Sequence, residues 1–170
     1  MKLVISDIRV DTAIKDNAAI IFAVESGDLE LVKILLADPR VNPADQHNAA
    51  IKSAIKIGQT DICKLLLKDL RINPADQNNE LLMLAIKSKN SDIIMMILTD
   101  SRVDPAAQSN KAIILAVTHD LTNIVKTLIT EYIVDPTVND NEPIRLALAN
   151  NNMEMVNLLL TDKRVNPTID

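Results

Sequence analysis

Apolar residues recur at helical spacing in short stretches that alternate with polar connectors. Ile20, Ala23 and Val24 lie at positions i, i+3 and i+4, on one face of a helix. A second stretch, residues 31–36, follows with the same kind of spacing and ends before a connector with two prolines, residues 38–43. Proline cannot continue a helix, so it marks the end of this stretch. The pattern therefore predicts two short helices in succession, called here the first and the second helix.

The pair of helices recurs along the whole chain. Arg40, Arg71 and Arg102, each followed by Val or Ile and then Asn or Asp, are 31 positions apart. A fixed period of this size indicates stacked repeats. The predicted array spans residues 1–170 as 1–8 (partial), 9–39, 40–70, 71–101, 102–132, 133–163 and 164–170 (partial).

One asparagine recurs before every first helix. The residues at this repeat position are Asn17, Asn48, Asn79, Asn110 and Asn141. An asparagine there is typical of an N-cap, whose side chain accepts from N–H groups of the first turn. These amides could also bond the loop backbone of the neighbouring repeat, because each offers a donor and an acceptor. A ladder of amides that binds an extended peptide is the functional alternative.

Residues that tolerate the left-handed conformation mark the predicted ends of the first helices. They are Gly27, Gly58, Lys89, Asp120 and Asn151, of which Lys89 fits this role least well. An acidic residue near the end of each repeat, such as Asp69, is expected to pair with the following arginine, Arg71. Such exposed ion pairs contribute little stability individually.

An alanine occupies one fixed position in all five first helices. Its members are Ala23, Ala54, Ala85, Ala116 and Ala147. Two helices of about ten residues cannot bury an apolar face alone, whereas stacked copies can. We therefore predict an all-α solenoid of stacked helix-turn-helix repeats in which alanine permits close packing. An Ala85→Leu variant would overpack this contact at a cost of about 1–3 kcal/mol.

Composition limits the classes of function. The net charge is -5, which argues against a nucleic-acid partner. Cys63 is the single cysteine, so an internal disulfide or a cysteine metal cluster is not expected, and a reducing compartment fits. No apolar run approaches the roughly 20 residues of a membrane span. We expect an intracellular protein, most simply a cytoplasmic one, with host-cell cytoplasm included if the source is a virus or pathogen.

The sequence contains no recognisable catalytic motif. His47 and His119 lie in different repeats at different positions, and neither has a nucleophile or metal-ligand spacing beside it. Cys63 stands where other repeats have Val or Ile, as expected for a small buried apolar residue. We therefore expect no enzymatic activity, no metal and no cofactor. A hidden hydrolase would require a pocket that places one of the histidines beside a carboxylate.

Two segments resemble the ankyrin repeat. Residues 24–36, Val-Glu-Ser-Gly-Asp-Leu-Glu-Leu-Val-Lys-Ile-Leu-Leu, are similar to A-x-x-G-H-L-E-V-V-K-L-L-L, and residues 141–147, Asn-Glu-Pro-Ile-Arg-Leu-Ala, to G-x-T-P-L-H-x-A. The resemblance covers residues 9–163. The usual repeat has about 33 residues, so the loop that forms a hairpin in the family is expected to be shorter and tighter here. The Thr and His of the second motif are absent, and their hydrogen bonds must be replaced.

The resemblance implies a non-catalytic module that binds another protein through its loop tips and the concave face of its first helices. The matching loop residues are Lys15, Asp16, Gln46, His47, Gln77, Asn78, Gln108, Ser109, Asn139 and Asp140. The matching first-helix residues are Glu25, Ser26, Lys56, Ile57, Lys87, Ser88, Thr118, His119, Ala149 and Asn150. Ile57 is apolar where its counterparts are Ser, His or Asn. The alternative is a structural spacer without a partner of its own.

The two ends of the sequence suggest a further hypothesis. Residues 1–8 align with the last part of a second helix, and residues 153–161 are as apolar as internal second helices. Terminal repeats normally require a polar outer face. The chain is therefore expected to be part of a longer array, with further repeats at either end, or to pair through an exposed end.

Overall fold

The computed structural model describes residues 14–166, which form ten helices within that range. The first helices are α1 (Ile14–Glu25), α3 (Asp45–Ile57), α5 (Asp76–Ser88), α7 (Ala107–Thr118) and α9 (Val138–Ala149). The second helices are α2 (Leu29–Leu36), α4 (Thr60–Leu67), α6 (Ser91–Leu98), α8 (Thr122–Thr130) and α10 (Met153–Leu159). Residues 14–166 contain no strand. The all-helical fold and the two helices per repeat are confirmed.

The chain divides into two compact units, Met1–Pro74 and Ala75–Asp170. In the first unit α1 packs on α3 and α2 packs on α4. In the second unit first helices stack in the order α5, α7, α9 and second helices in the order α6, α8, α10. Within each unit, therefore, every helix pair packs against the equivalent helix pair of a neighbouring repeat. The predicted partial repeats 1–8 and 164–170 lie largely outside the described residues.

The alanine that recurs in every first helix lies at the centre of the packing. Ala54, Ala85 and Ala116 are each 0 % exposed. Around them the apolar faces of the helices are buried as the periodicity predicts, for example Ile51 on α3 and Ile113 on α7. A methyl group at this position allows neighbouring helices to approach closely.

All five first helices end at the predicted left-handed residue. Gly27, Gly58, Lys89, Asp120 and Asn151 have φ between 53° and 80°. At Asp120 the backbone N–H bonds the carbonyl of Val117, and the next N–H bonds that of Ala116. These are the two bonds of a Schellman motif. Lys89 adopts the same conformation at φ 59° despite its side chain.

The prediction that the recurring asparagine is an N-cap is wrong for Asn17 and Asn79. Both have positive φ, 59° and 63°, and their side chains do not bond the first turn of their own helix. Instead the Asn17 Oδ1 accepts from the backbone N–H of Asn42 at 2.7 Å, and the Asn79 Oδ1 accepts from that of Asp104 at 3.1 Å. The interpretation that these amides bond the loop of the neighbouring repeat is confirmed at these two positions. The loop of the next repeat places a backbone N–H within hydrogen-bonding distance of the asparagine side chain. The Oδ1 atom accepts from that N–H instead of from an N–H of its own helix.

Candidate functional site

The loop residues that the resemblance singles out in the second to fifth repeats form a short left-handed turn among the first residues of α3, α5, α7 and α9. Residues 46–48, 77–79, 108–110 and 139–141 all have φ between 49° and 65°. In each turn the first two side chains are exposed. The third residue of each turn is the recurring asparagine. Two of these asparagines, Asn48 and Asn79, are buried. Each turn thus exposes two polar side chains next to the recurring asparagine.

Buried asparagines hold these turns against the next loop. In the first unit Asn17 donates from Nδ2 to the Asp45 carboxylate at 2.7 Å, in addition to accepting from Asn42. In the second unit Asn79 bonds both the N–H and the C=O of Asp104, at 3.1 and 3.2 Å. A side chain bonded twice at 4 % exposure is well fixed. The exposed turn residues Gln77 and Asn78 therefore precede a side chain that is well fixed.

Most predicted surface residues are exposed. In the first unit these are Glu25, Gln46, His47, Lys56 and Ile57, and in the second unit Gln77, Asn78, Lys87, Gln108, Thr118, Asn139 and Asn150. Ser88 and His119 are half-buried. Lys15 and Asp16 belong to α1, but their side chains lie outside the described residues.

Several of these polar groups already have partners within the chain. The hydroxyls of Ser88 and Thr118 donate to carbonyls of their own helices, at 2.8 and 2.7 Å. The Gln108 amide donates to the carbonyl of Asn78 at 2.6 Å, and the Asn139 amide donates to Glu142 at 2.7 Å. These amides therefore connect neighbouring parts of the second unit. A protein that binds here would have to compete with these intrachain hydrogen bonds.

The sequence interpretation missed several exposed apolar side chains, of which three are the most exposed in loops or in the first unit. Phe22 on α1 is 67 % exposed, Leu70 is 88 % exposed and Ile133 is 73 % exposed. Leu70 and Ile133 replace residues that are mostly polar at the same repeat position, the signal that identified Ile57. Phe22 gave no such signal, because its counterparts Leu84 and Leu115 are also apolar. In the first unit Phe22 and Ile57 lie on neighbouring first helices, one helical turn apart in register.

Arginine side chains join the connectors to the preceding repeat. Arg71 hydrogen-bonds Asp69, as predicted, and also donates to the carbonyls of Val41 and Leu36 at 2.7 and 2.9 Å. The Arg71 bond lowers the pKa of the Asp69 carboxyl group below its ordinary value. Arg102 and Arg164 lower the pKa of Asp100 and Asp162 in the same way.

Ile133 stands where the other repeats have an arginine. Tyr132 makes one of the hydrogen bonds that an arginine at position 133 would make. The Tyr132 hydroxyl donates to the carbonyl of Leu98 at 2.7 Å. Leu98 occupies the same repeat position as Leu36, which Arg71 bonds. Ile133 itself has φ 53°, a strained value for a β-branched residue. A different side chain from a neighbouring position therefore preserves the contact between repeats.

The remaining chemically interesting groups are isolated. Cys63 is 0 % exposed, and burial raises the pKa of its thiol to about 12. Among residues 14–166, no group of three or more His, Cys, Asp or Glu side chains could hold a metal ion. None of the helices in that range is both long enough and apolar enough to span a bilayer.

Two open clefts of about 360 and 310 Å³ lie at the N-terminal ends of second helices. Neither cleft is lined by His47 or His119. The first cleft is lined by Gly27, Leu29, Gly58, Gln59, Thr60, Asp61 and Ile62, and the second by Ser91, Asp120, Leu121, Thr122, Asn123, Ile124 and Glu154.

Comparison with known families agrees with the repeat geometry. A family model described as ankyrin repeats (3 copies) matches the chain at residues 2–78, 20–109 and 82–170. The chain belongs to the ankyrin-repeat family. No match was found among curated proteins. Ankyrin repeats generally act as protein–protein interaction modules and are typically non-catalytic.

Proposed function

We propose that this ankyrin-repeat chain is a non-catalytic module that binds a protein through its loop tips and the exposed face of its first helices. In the first unit the proposed contact residues centre on Phe22 and Ile57. The left-handed turn with Gln46 and His47 extends this surface. In the second unit the corresponding surface contains Gln77, Asn78 and Lys87.

The observation that carries the proposal is the exposure of two large apolar side chains on neighbouring first helices. Phe22 is 67 % exposed and Ile57 is 54 % exposed. Burial of an apolar side chain at an interface contributes about 25 cal/mol per Å² removed from water. Aromatic anchors are also frequent among the residues that dominate binding energy. A partner that covers both side chains would gain most of its affinity here.

The packing beneath these two side chains supports their role as anchors. Ala23 and Val24 on α1, and Ala54 and Ile55 on α3, are each 0 % exposed. The helices are therefore held firmly, so little ordering entropy is lost when a partner binds. Lys56, exposed beside Ile57, offers a positive charge at the edge of the apolar pair. The partner surface is expected to be apolar with an acidic rim.

A double variant, Phe22→Ser with Ile57→Ser, tests the proposal. Serine occurs naturally at both repeat positions, as Ser53 and as Ser88, so the variant is expected to fold. We expect its melting temperature to stay within about 3 °C of the original, since both side chains are exposed. Both proteins are used to capture partners from an extract of the source organism, and the captured proteins are quantified by mass spectrometry. The amount captured by the double variant should be at least tenfold lower, which corresponds to a loss of about 1.4 kcal/mol or more in binding free energy.

Leu70→Ser is the matched control, because it removes an exposed apolar side chain from the connector of the same unit. This variant should retain the proteins that the double variant loses. If the double variant and the original chain capture the same proteins in the same amounts, the proposal is wrong. The chain would then fit a structural spacer.

A further inference from the structure

The second unit contains two junctions between successive helix pairs. The first lies between α5–α6 and α7–α8, and the second between α7–α8 and α9–α10. At the first junction the Asn79 side chain bonds both the N–H and the C=O of Asp104. The Gln108 amide adds a bond to the carbonyl of Asn78. Hydrogen bonds between loops therefore reinforce the helix packing of the first junction.

The second junction does not repeat the asparagine bridge. Asn110 occupies the repeat position of Asn79, but its Oδ1 is buried without a hydrogen-bond partner in the part of the chain that the structure describes. It therefore does not accept from the N–H of Asp135, the counterpart of Asp104. The Asn152 amide does donate to the Asp120 carboxylate across this junction, at 3.1 Å, but in an exposed place. Water can replace an exposed hydrogen bond with little loss of stability.

The connector of the second junction differs from that of the first. At the first junction Asp100 forms an ion pair with Arg102 at 2.6 Å. At the second, Ile133 stands at the position of the arginine and cannot form such a pair. The backbone also follows another path, because the N–H of Val134 bonds the carbonyl of Leu128 at 3.0 Å. Ile133 has φ 53°, which is unfavourable for a β-branched side chain.

The strained position lies between two residues that are held in place. On one side, the Tyr132 hydroxyl donates to the carbonyl of Leu98 at 2.7 Å and so connects the end of α8 to α6. On the other side, Arg164 donates to the carbonyl of Val134 at 3.3 Å. Arg164 follows α10, so this bond stays on the side of the α9–α10 pair. Ile133 is therefore where a movement of α9–α10 relative to α7–α8 would be centred.

From these observations we propose that Ile133 is a hinge about which the α9–α10 pair opens away from α7–α8 while α5–α8 stay packed. Opening relieves the backbone strain at Ile133 and breaks neither a connector ion pair nor an asparagine bridge. Apolar packing holds the closed form, since Ile144 and Ala147 on α9 are 2 % and 1 % exposed. Such a local opening requires less free energy than global unfolding. The proposal goes beyond the proposed function and does not depend on it.

Hydrogen exchange of the full chain, followed by NMR at single amides, tests the proposal. Helices as short as α9 and α10 are unstable alone, so their amides exchange once the pair opens. We expect the amides of Ala147 on α9 and Val156 on α10 to have equal protection. Their protection should be lower than that of Ala116 on α7 by about tenfold or more.

Two variants strengthen the hinge in different ways. Ile133→Asn removes the strain, because asparagine tolerates positive φ, and Glu131→Asp with Ile133→Arg restores the Asp-x-Arg sequence of the other connectors. Each should slow exchange of both α9 and α10 amides by about fivefold or more. Leu70→Arg is the matched control, since it adds an arginine to an exposed connector of the first unit. It should leave these amides within about twofold of the original chain.

Asn79→Ala separates local opening from global unfolding. It weakens the first junction, which stays closed when α9–α10 opens. Exchange at Ala116 should therefore become faster by about tenfold or more, while Ala147 and Val156 stay within about twofold. Equal acceleration of all three amides would overturn the proposal, because α9–α10 would then open only when the whole unit unfolds. Unchanged exchange of α9–α10 in both hinge variants would overturn it as well.

Discussion

Asn79 connects two repeats through a single buried side chain. Its amide bonds both backbone groups of Asp104, and its own backbone occupies the left-handed region at φ 63°. Asparagine combines the two properties needed here, because it tolerates positive φ and carries a donor and an acceptor. Asn17 does the same work in the first unit through Asn42 and Asp45.

Replacement of this amide should be costly. In Asn79→Ala, the N–H and C=O of Asp104 lose their partner, which costs about 1–3 kcal/mol. The alanine must also adopt a left-handed conformation, which adds about 1 kcal/mol. Denaturant unfolding followed by circular dichroism should therefore report a loss of about 2–4 kcal/mol in the free energy of unfolding.

Asn110→Ala provides a control for the backbone contribution. Asn110 has a similar φ of 58°, but its Oδ1 is buried without a hydrogen-bond partner in the described part of the chain. The difference between the two variants isolates the two bonds to Asp104. Equal losses in Asn79→Ala and Asn110→Ala would show that these bonds contribute nothing.

The aspartate–arginine pairs predict a dependence of stability on pH. The pKa values of Asp69, Asp100 and Asp162 are lowered in the folded chain by their arginine partners. A carboxyl group with a lowered pKa stabilises the fold fully above its unfolded pKa of about 3.9. This contribution is lost as the pH falls through the lower, folded value. The melting temperature should therefore decrease below about pH 4.

Asp100→Asn removes one of these titrations. Its melting temperature should be lower than that of the original chain near pH 6, and the gap should narrow as the pH approaches about 2. Thermal melts across this range measure the gap directly. A gap that is constant with pH would mean that the ionised Asp100 is not preferentially stabilised in the fold.

At the scale of the helices, close contact between first helices depends on alanine. Helix α7 packs between α5 and α9, and Ala116 is 0 % exposed within it. Ala116→Leu adds three carbons where no space is available, so we expect a loss of about 1–3 kcal/mol in the free energy of unfolding. Ala149→Leu, at an exposed position of α9, should change it by less than about 0.5 kcal/mol. Equal effects of the two substitutions would contradict the packing.

Much of each helix pair could be predicted from sequence because local chemistry determines it. The left-handed ends, the buried alanine and the Asp69–Arg71 pair all follow from residue type and spacing. The hydrogen bonds of Asn17 and Asn79 were only partly predictable, since the choice between a cap and a neighbouring loop depends on how near that loop lies. The substitution of Tyr132 for an arginine was not predictable, because the two residues occupy different repeat positions.

The exposed residues illustrate the same limit. Ile57 could be identified because its counterparts are polar, and it is 54 % exposed. Phe22 could not, since apolar residues are common at its position and the rotation of the helix decides whether the side chain faces the core. Leu148 has buried counterparts, and only the stacking order reveals that it is uncovered. Burial at a repeat position depends on the neighbour as well as on the sequence.

At the scale of the whole molecule, ankyrin repeats generally act as protein–protein interaction modules, and the proposed binding surface of this chain lies on its first helices. In the first unit the first helices carry the proposed anchors Phe22 and Ile57, whereas α4 carries the exposed Lys64. The two kinds of surface can be compared within one unit, because α3 and α4 belong to the same repeat. This contrast allows a direct test of where a partner binds.

Site-specific photo-cross-linking makes that test most directly. A photoreactive residue is placed at position 57 on α3 in one protein and at position 64 on α4 in another, both exposed in the original chain. After irradiation in an extract of the source organism, the first is predicted to form a discrete cross-link to another protein that Phe22→Ser weakens, and the second is not. Cross-links from position 64 alone, or in equal yield from both positions, would contradict the account.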